Sequence, residues 1–215
     1  MQITYELTKA NRRMSQRFGP YQSRSFVKAF LQMLFCETSG ETESVIDISN
    51  TSRSIAGSTE GSLRGSHPGL DAGEDSFTST SSQTSVYNNV YADDCGIVIG
   101  TGSTAVAVAD DNLATPIVHG AGSGQMIHYG CWALNYTTGA SSSSFDIERI
   151  FRNDSGGSIV VAEIGVYIRA GFDTTGGTSE SEVVGFCILR DVLGATVTVL
   201  NGEYLKVKYT ITVSN

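Results

Sequence analysis

The stretch EYLKVKYTITVS, residues 203–214, decides the fold class that this sequence predicts. Apolar and polar residues alternate along it without a break. The apolar set consists of Leu205, Val207, Tyr209, Ile211 and Val213. Because successive side chains of a strand point to opposite faces of the sheet, this period of two predicts a β-strand with one buried face.

Further strands are predicted upstream of this stretch, from residue 91 onward. Each is a run of β-branched, aromatic or other apolar residues that ends at turn residues. Their bounds are 96–99, 105–109, 125–136, 144–153, 158–170, 182–191 and 196–200. Asn201-Gly202, which favours a two-residue hairpin, precedes the last strand. This punctuation predicts a mainly β domain over residues 91–215, an antiparallel β-sandwich or jelly roll.

Residues 1–39 are predicted to form a basic helical N-terminal arm. Residues 1–30 carry six Lys or Arg side chains against one Glu, although the whole chain has a formal net charge of −8. Apolar residues recur at spacings of three and four over residues 26–35, which indicates an amphipathic helix. The residues predicted to serve in assembly are Arg12, Arg13, Arg17, Phe26, Phe30 and Leu34.

The predicted arm has two interpretations. It is either an ordinary solvated helix or a segment that docks on an acidic surface, such as the β-domain of a neighbouring copy. An apolar stripe this short is unstable alone in water, so it packs on its own domain or on a partner. In the second case, removing residues 1–39 should leave a soluble β-domain that no longer assembles.

Residues 40–90 are rich in Ser, Thr and Gly. Such a composition is typical of a flexible linker, but it also suits an extended arm that becomes ordered against neighbouring subunits. The sequence leaves these two interpretations open.

One carboxylate lies in a strongly apolar setting. Glu163 belongs to the predicted strand 158–170, both faces of which are apolar. A buried carboxylate needs a partner, and Arg149, Arg152 and Arg190 lie on other predicted strands. A structural ion pair of Glu163 with Arg149 or Arg190, which fixes strand register, is favoured over a catalytic carboxylate, because no second acid or nucleophile accompanies Glu163 in a motif.

The sequence lacks the motifs of common catalytic and metal sites. It contains no GxSxG elbow, no GxxxxGK[ST] loop and no HxxxH or HxH pair. The pair Gly100 and Gly102 lies between strands and predicts a turn rather than a phosphate loop. We therefore expect no catalytic residue, cofactor or metal, with calcium binding by the acidic pairs 93–94 and 110–111 as the less favoured alternative.

The four cysteines are widely spaced and form no CxxC pair. No secretory signal is evident, and the apolar residues 26–36 are too few to cross a membrane, so we expect synthesis in a cytoplasm and free core thiols. Cross-linking of copies through Cys36 and Cys95 is the alternative.

Several segments are similar to those of virion structural proteins from tailed double-stranded DNA bacteriophages and related viruses. These segments are GIVIGTGSTA (96–105), LATPI (113–117), 120–124, FDIERIFRN (145–153), VAEIGVY (161–167), LRDVL (189–193) and 202–213. The resemblance implies a homo-oligomeric decoration, vertex, neck or tail component, located in the virion beside capsid or tail proteins. It implies no catalytic residues, and the acidic net charge argues against direct nucleic-acid binding.

Two rival functions remain at this point. The first is a tail-fibre or receptor-binding module that stacks carbohydrate on Trp132 and on tyrosines. The tyrosines considered are Tyr87, Tyr91, Tyr129 and Tyr136. The second is an enzyme such as a jelly-roll hydrolase, which is less favoured because no pair of acids at defined strand positions can be located.

Overall fold

A computed structural model describes residues 1–11, 13–23, 25–39, 42–56, 92–173 and 181–215. Within them, all strand pairings are antiparallel, which confirms the mainly β prediction. The elements are β1 (Gln2–Ala10), β2 (Ser15–Ser23), α1 (Lys28–Ser39), β3 (Thr42–Ile46), β4 (Ser52–Ala56), β5 (Gly96–Gly100), β6 (Ile127–Thr138), β7 (Ser142–Arg152), β8 (Ile159–Asp173), β9 (Ser181–Val199) and β10 (Tyr204–Ser214).

The larger sheet has the strand order β2-β1-β10-β7-β6, so the C-terminal strand lies at its centre. The alternation predicted for this strand is confirmed where it is covered: Leu205, Val207 and Tyr209 are fully buried. Val213, near the end of the strand, is 55% exposed. The apolar face of β10 is therefore buried over the first two thirds of the strand and exposed at its end.

The smaller sheet has the order β5-β8-β9 and shares a core with the larger one. Side chains cross between the two sheets. The Tyr209 hydroxyl on β10 donates to Asp191 Oδ2 on β9 over 3.0 Å, and Arg149 Nη1 on β7 donates to the Ile97 carbonyl on β5 over 2.8 Å. These contacts connect the two sheets through their shared core.

The outer edge of β9 is partly covered by segments from the N-terminal third of the chain. Val27 N–H donates to the Ile188 carbonyl, and Arg190 N–H donates to the Ser25 carbonyl, both over 3.2 Å. Helix α1 follows this short pairing and packs on the hairpin β3–β4. The start of the predicted linker at residues 40–90 is thus an ordered hairpin, whereas residues 57–91 lie outside the described residues.

The prediction of a helical arm is wrong for residues 2–23, which form β1 and β2. β1 pairs with β10 from Gln2 opposite Thr212 to Ala10 opposite Tyr204. The physical reason is the alternation in QITYELTKA. Its apolar members Ile3, Tyr5 and Leu7 are all buried in the core of the larger sheet. Helix appears only from Lys28 onward.

The helix packs on its own domain, which was one of the two alternatives for the apolar stripe. Phe26 forms a bridge with Leu189, and its ring stacks on Phe30 with centroids 4.2 Å apart. Both rings are partly buried against the core, but Leu34 is 38% exposed. Among the helix side chains whose burial the structure describes, the buried ones are Ala29, Met33 and Cys36.

Two strand predictions fail in detail. Residues 105–109 are not a strand, because they belong to a long loop over the smaller sheet. The predicted strands 182–191 and 196–200 are one strand, β9. Between Val192 and Val197, β9 bulges out of register with β8, so its Gly194 bends the strand without ending it.

Candidate functional site

The interior of the smaller sheet holds a carboxylate inside a cradle of backbone N–H groups. Glu163 on β8 is fully buried. Its Oε1 accepts hydrogen bonds from Gly102 N–H over 3.0 Å and from Thr115 N–H over 2.8 Å. Its Oε2 accepts from Ala114 N–H over 3.0 Å. Donors aimed at an ionised group form strong hydrogen bonds, so this carboxylate fastens the loop onto the sheet.

Arg190 on β9 completes the cradle. Its Nε lies 3.0 Å and its Nη2 2.9 Å from Glu163 Oε2. Its Nη1 donates to Asp110, and its Nη2 donates to the Thr104 carbonyl over 2.9 Å. Burial by itself would lower the pKa of Arg190, but the hydrogen bonds to Asp110 and Glu163 outweigh it and raise that pKa. Of the arginines predicted to face Glu163, the structure brings this one to it.

The glycine pair considered as a phosphate loop lies against the same carboxylate. A Cβ at Gly100 would lie 2.6 Å from Glu163 Oε1, and a Cβ at Gly102 would overlap that oxygen and lie 2.7 Å from Ala114 Cβ. Only glycine lets the backbone approach this closely. The anion that this segment holds is therefore the protein's own Glu163, and both carboxylate oxygens are occupied by protein donors.

Arg149 does not pair with Glu163, which corrects that part of the prediction. It projects from β7 toward β5, where its Nη1 donates to the Cys95 carbonyl over 3.0 Å and to the Ile97 carbonyl over 2.8 Å. It also donates to the carbonyls of Ala92 and Tyr129, each over 2.8 Å. Backbone carbonyls leave no signal in the sequence, so these partners could not be inferred from residue types.

A histidine and aspartate cluster near the start of β6 was not anticipated. Nδ1 of His128 lies 3.0 Å from Asp93 Oδ1, and the same oxygen accepts from His119 N–H over 2.7 Å. Nε2 of His128 is buried, and it has no hydrogen-bond partner in the part of the chain that the structure describes. Asp93 lies 26 residues before His119, and His128 follows nine residues after it, so the three residues form no recognised motif.

Burial and hydrogen bonding set the protonation of this cluster. Burial lowers the pKa of His128, and the nearby Arg149 acts in the same direction, against the opposing effect of Asp93. For Asp93, burial raises the pKa, but hydrogen bonds from His128 and His119 overcome this and leave it below its usual value. A neutral His128 that donates Nδ1–H to an ionised Asp93 fits both shifts.

A surface cavity of about 600 Å³ opens at one end of the larger sheet, between the β1–β2 and β9–β10 turns. Arg13, from the predicted assembly residues, lines it together with Met14 and Leu200. The Arg152 guanidinium lies over the Tyr204 ring at 5.6 Å from its centroid. The cavity therefore combines exposed apolar surface with two cations and the carboxylate of Glu203, and one of the cations, Arg152, pairs with Asp154 over 3.0 Å.

The other predicted assembly residues are distributed over separate places. Arg17 on β2 forms an ion pair with Glu6 on the outer face of the larger sheet. Arg12 lies outside the described residues. Phe26 and Phe30 pack against the core on the side of the smaller sheet. The members of this set that the structure describes thus do not form one surface.

The C-terminal half of β6 presents apolar side chains to solvent. Trp132, Leu134 and Tyr136 are exposed by 38%, 41% and 73%. Beside them, a groove of about 300 Å³ is lined by residues 133–136 and Phe145. Of the tyrosines considered for carbohydrate stacking, Tyr129 is partly buried, and Tyr87 and Tyr91 lie outside the described residues.

Three of the four aspartates considered for calcium are engaged by other side chains. Asp94 binds Arg169 through two hydrogen bonds of 2.6 and 3.0 Å, Asp110 binds Arg190, and Asp93 faces His128. Among the described residues, no group of three or more His, Cys, Asp or Glu side chains is arranged to hold a metal ion. The same part of the chain contains no helix of the length and apolarity that crossing a bilayer requires.

All four cysteines are buried thiols outside any disulfide. Burial raises the pKa of Cys95 to about 11 and also raises the pKa values of Cys131 and Cys187. Because the thiolate is the reactive form, these groups are unreactive in the folded chain. The alternative that Cys36 and Cys95 cross-link copies would require the buried thiols to become exposed.

Comparison with known proteins gives no relative. No family model, no curated protein and no solved structure matches the chain.

Proposed function

We propose that the chain is a structural virion protein of the tailed-bacteriophage type, a homo-oligomeric decoration, vertex, neck or tail component built on a β-sandwich or jelly roll. The exposed, uncharged end of β6 carries this proposal. Trp132, Leu134 and Tyr136 lie together there on one strand, and an exposed apolar strand at a sheet edge is a surface for another protein.

The buried charges support a scaffold function. Glu163 is engaged by three backbone N–H groups and Arg190, and the guanidinium of Arg149 donates to backbone carbonyls of several segments. Both side chains fix loops to sheets. A protein that must keep one shape in a particle gains from such connections, since they penalise alternative arrangements of the loops.

The role of the N-terminal segment changes with the fold. β1 is an integral strand of the larger sheet, so a detachable arm of residues 1–39 is no longer part of the proposal. The basic side chains of this region act from a folded hairpin. Arg13, beside the end cavity, is the member of the predicted assembly set best placed to meet an acidic partner.

Localisation tests the proposal. Virus particles would be purified on density gradients from cultures that produce the chain, and the protein located by mass spectrometry and cryo-electron microscopy. We expect the chain at symmetry-related positions, in a fixed ratio to the major capsid or tail protein. Its presence in the lysate but its absence from purified particles would overturn the proposal. An abundant host protein serves as the control for carry-over.

A receptor-binding or carbohydrate-binding module is the second candidate. The observation in its favour is the end cavity, where the Tyr204 ring and the cations Arg13 and Arg152 line one concave surface. Aromatic stacking together with charged hydrogen-bonding groups suits a sugar. A glycan array with wild-type, Tyr204→Ala and Trp132→Ala proteins tests it. Reproducible binding that either variant abolishes, with the fold intact, would favour this function.

A further inference from the structure

The outer side of β6 is covered only over its first part. The Met126 N–H donates to the Val118 carbonyl over 3.3 Å, and the His128 N–H donates to His119 Nδ1 over 3.1 Å. From residue 132 to 138 every residue is exposed, and β7 is the only strand that pairs with this stretch within the described residues. We call residues 132–138 the β6 edge. Alternate residues of an edge strand direct N–H and C=O groups away from the sheet.

The other outer strands of the two main sheets, within the described part of the chain, are partly covered or blunted. Residues 25–27 pair with β9, and residues 115–117 cover β5, since the Ile117 N–H donates to the Ile99 carbonyl over 2.9 Å. β2 carries Arg17 and Pro20, which hinder the addition of another strand. The β6 edge has neither device.

A bulge on β6 accompanies its most exposed aromatic side chain, Tyr136. The register with β7 shifts between Leu134 and Thr137, so Asn135 and Tyr136 together lie opposite Phe145. Asn135 has a positive φ of 56°, and its Nδ2 donates to Asp146 Oδ2 over 2.9 Å. This bond holds the bulge in place and leaves Tyr136 73% exposed beside the groove.

The charge pattern indicates what covers this edge. The chain carries a formal net charge of −8, so two copies repel each other over most of their surfaces. No Lys, Arg, Asp or Glu occurs between Asp111 and Asp146, a segment that includes all of β6. Two β6 edges can therefore approach without bringing like charges together. A strongly basic partner would find no acidic side chain on this strand.

We propose that a second copy of this chain docks on the β6 edge, with the two β6 edges antiparallel about a two-fold axis. The pairing joins the larger sheets of two copies and buries Trp132, Leu134 and Tyr136 from both. This inference rests on the proposed function and deepens it by naming the surface through which copies associate.

Trp132 is the only tryptophan of the chain, which makes its fluorescence a direct probe of the edge. The full-length protein would be diluted stepwise from high to low micromolar concentration, with emission and light-scattering mass recorded together. We expect the mass to fall toward the 22.8 kDa of one chain while the Trp132 emission moves to longer wavelength. Leu134→Lys should weaken association at least tenfold and keep the wild-type circular dichroism.

Val160→Lys is the matched control, because Val160 on β8 is 44% exposed, close to the 41% of Leu134. It should associate like the wild type. The inference is overturned if Leu134→Lys associates as strongly as Val160→Lys, or if the protein stays at the mass of one chain at the highest concentration. Neither result decides the localisation test of the proposed function. A chain that assembles into particles through another surface would still be found in purified particles.

Discussion

Glu163 on β8 and Arg190 on β9 form an ion pair across neighbouring strands, with Nε 3.0 Å from Oε2. Arg190 lies in register with Gly165, so the two charged side chains are diagonal neighbours on the same face of the sheet. The glutamate is fully buried and the arginine is 2% exposed. On this face the Glu163 carboxylate also accepts hydrogen bonds from a loop, through the N–H groups of Gly102, Ala114 and Thr115.

Replacing Glu163 by Gln should destabilise the protein severely. The variant leaves Arg190 without one of its anionic partners and places an amide near N–H groups that need an acceptor. Breaking one partner of a buried pair costs about 3–5 kcal/mol. Urea unfolding followed by circular dichroism measures the free energy of unfolding. Glu148→Gln is the control, since Glu148 binds Lys206 over 3.2 Å on the outer face.

The control pair is partly exposed to solvent, with side-chain exposures of 38% for Lys206 and 19% for Glu148. Ion pairs of this kind contribute about 1 kcal/mol or less. Equal losses of stability in Glu163→Gln and Glu148→Gln would show that the buried network does not hold the loop.

Gly102→Ala should weaken the same cradle by a steric route. The added methyl group overlaps Glu163 Oε1 and lies 2.7 Å from Ala114 Cβ, so either the loop or the carboxylate must move. Forcing an extra carbon into a packed site costs about 1–3 kcal/mol. The control is Gly157→Ala, where the new Cβ meets nothing within 4 Å. An unfolding temperature of Gly157→Ala below that of Gly102→Ala would contradict the close packing of Gly102 against Glu163.

The sequence predicts the parts of this fold whose signals are local. The alternation in β10 is visible because every second residue from Leu205 to Val213 is apolar. Glu163 is conspicuous because it is the one carboxylate in an otherwise apolar strand. β1 has the same alternation, in Ile3, Tyr5 and Leu7. The basic residues around it and the helical stripe that follows it favoured a helix for the whole segment, and only pairing with β10 decides between the two.

Other features depend on contacts that no residue pattern records. Arg149 binds backbone carbonyls, which every residue possesses. His128 on β6 and Asp93 before β5 become partners only when the chain folds. Gly194 would ordinarily indicate a break, but the bulge in β9 keeps it inside one continuous strand. The exposed β6 edge likewise becomes visible only when the neighbours of each strand are known.

The stability of the protein should fall as the pH decreases from 7.5 to 5.5. Burial lowers the pKa of His128 in the folded chain, so between its ordinary value and the folded value the unfolded chain binds a proton that the folded chain does not. Protonation would also place an N–H on the buried Nε2, which has no acceptor among the described residues. Urea midpoints across this pH range measure the effect.

His128→Asn separates this titration from other effects of pH. Its amide can still donate to Asp93 but cannot take up a proton in this range, so we expect a flatter dependence of the urea midpoint on pH. His119→Asn keeps His128 and should keep the wild-type slope. The same slope in His128→Asn and the wild type would assign the pH dependence to other groups.

Deleting residues 1–23 should prevent folding, in contrast to the soluble β-domain that the sequence predicted. The deletion removes β1 and β2 and opens the edge of β10 along its whole length. It also uncovers Tyr209, whose ring lies 6.0 Å from that of Tyr5 and whose side chain is fully buried. An open apolar edge at the centre of the larger sheet favours aggregation. We expect insoluble protein, or soluble protein without near-ultraviolet circular dichroism. The double variant Arg13→Ala, Arg17→Ala is the matched control, because it removes positive charge from the same region but leaves β1 in place. It should stay folded with about 1 kcal/mol lost from the Arg17–Glu6 pair, whose arginine is 63% exposed. A truncated protein with the native near-ultraviolet spectrum would show that β1 is dispensable and would restore the detachable arm.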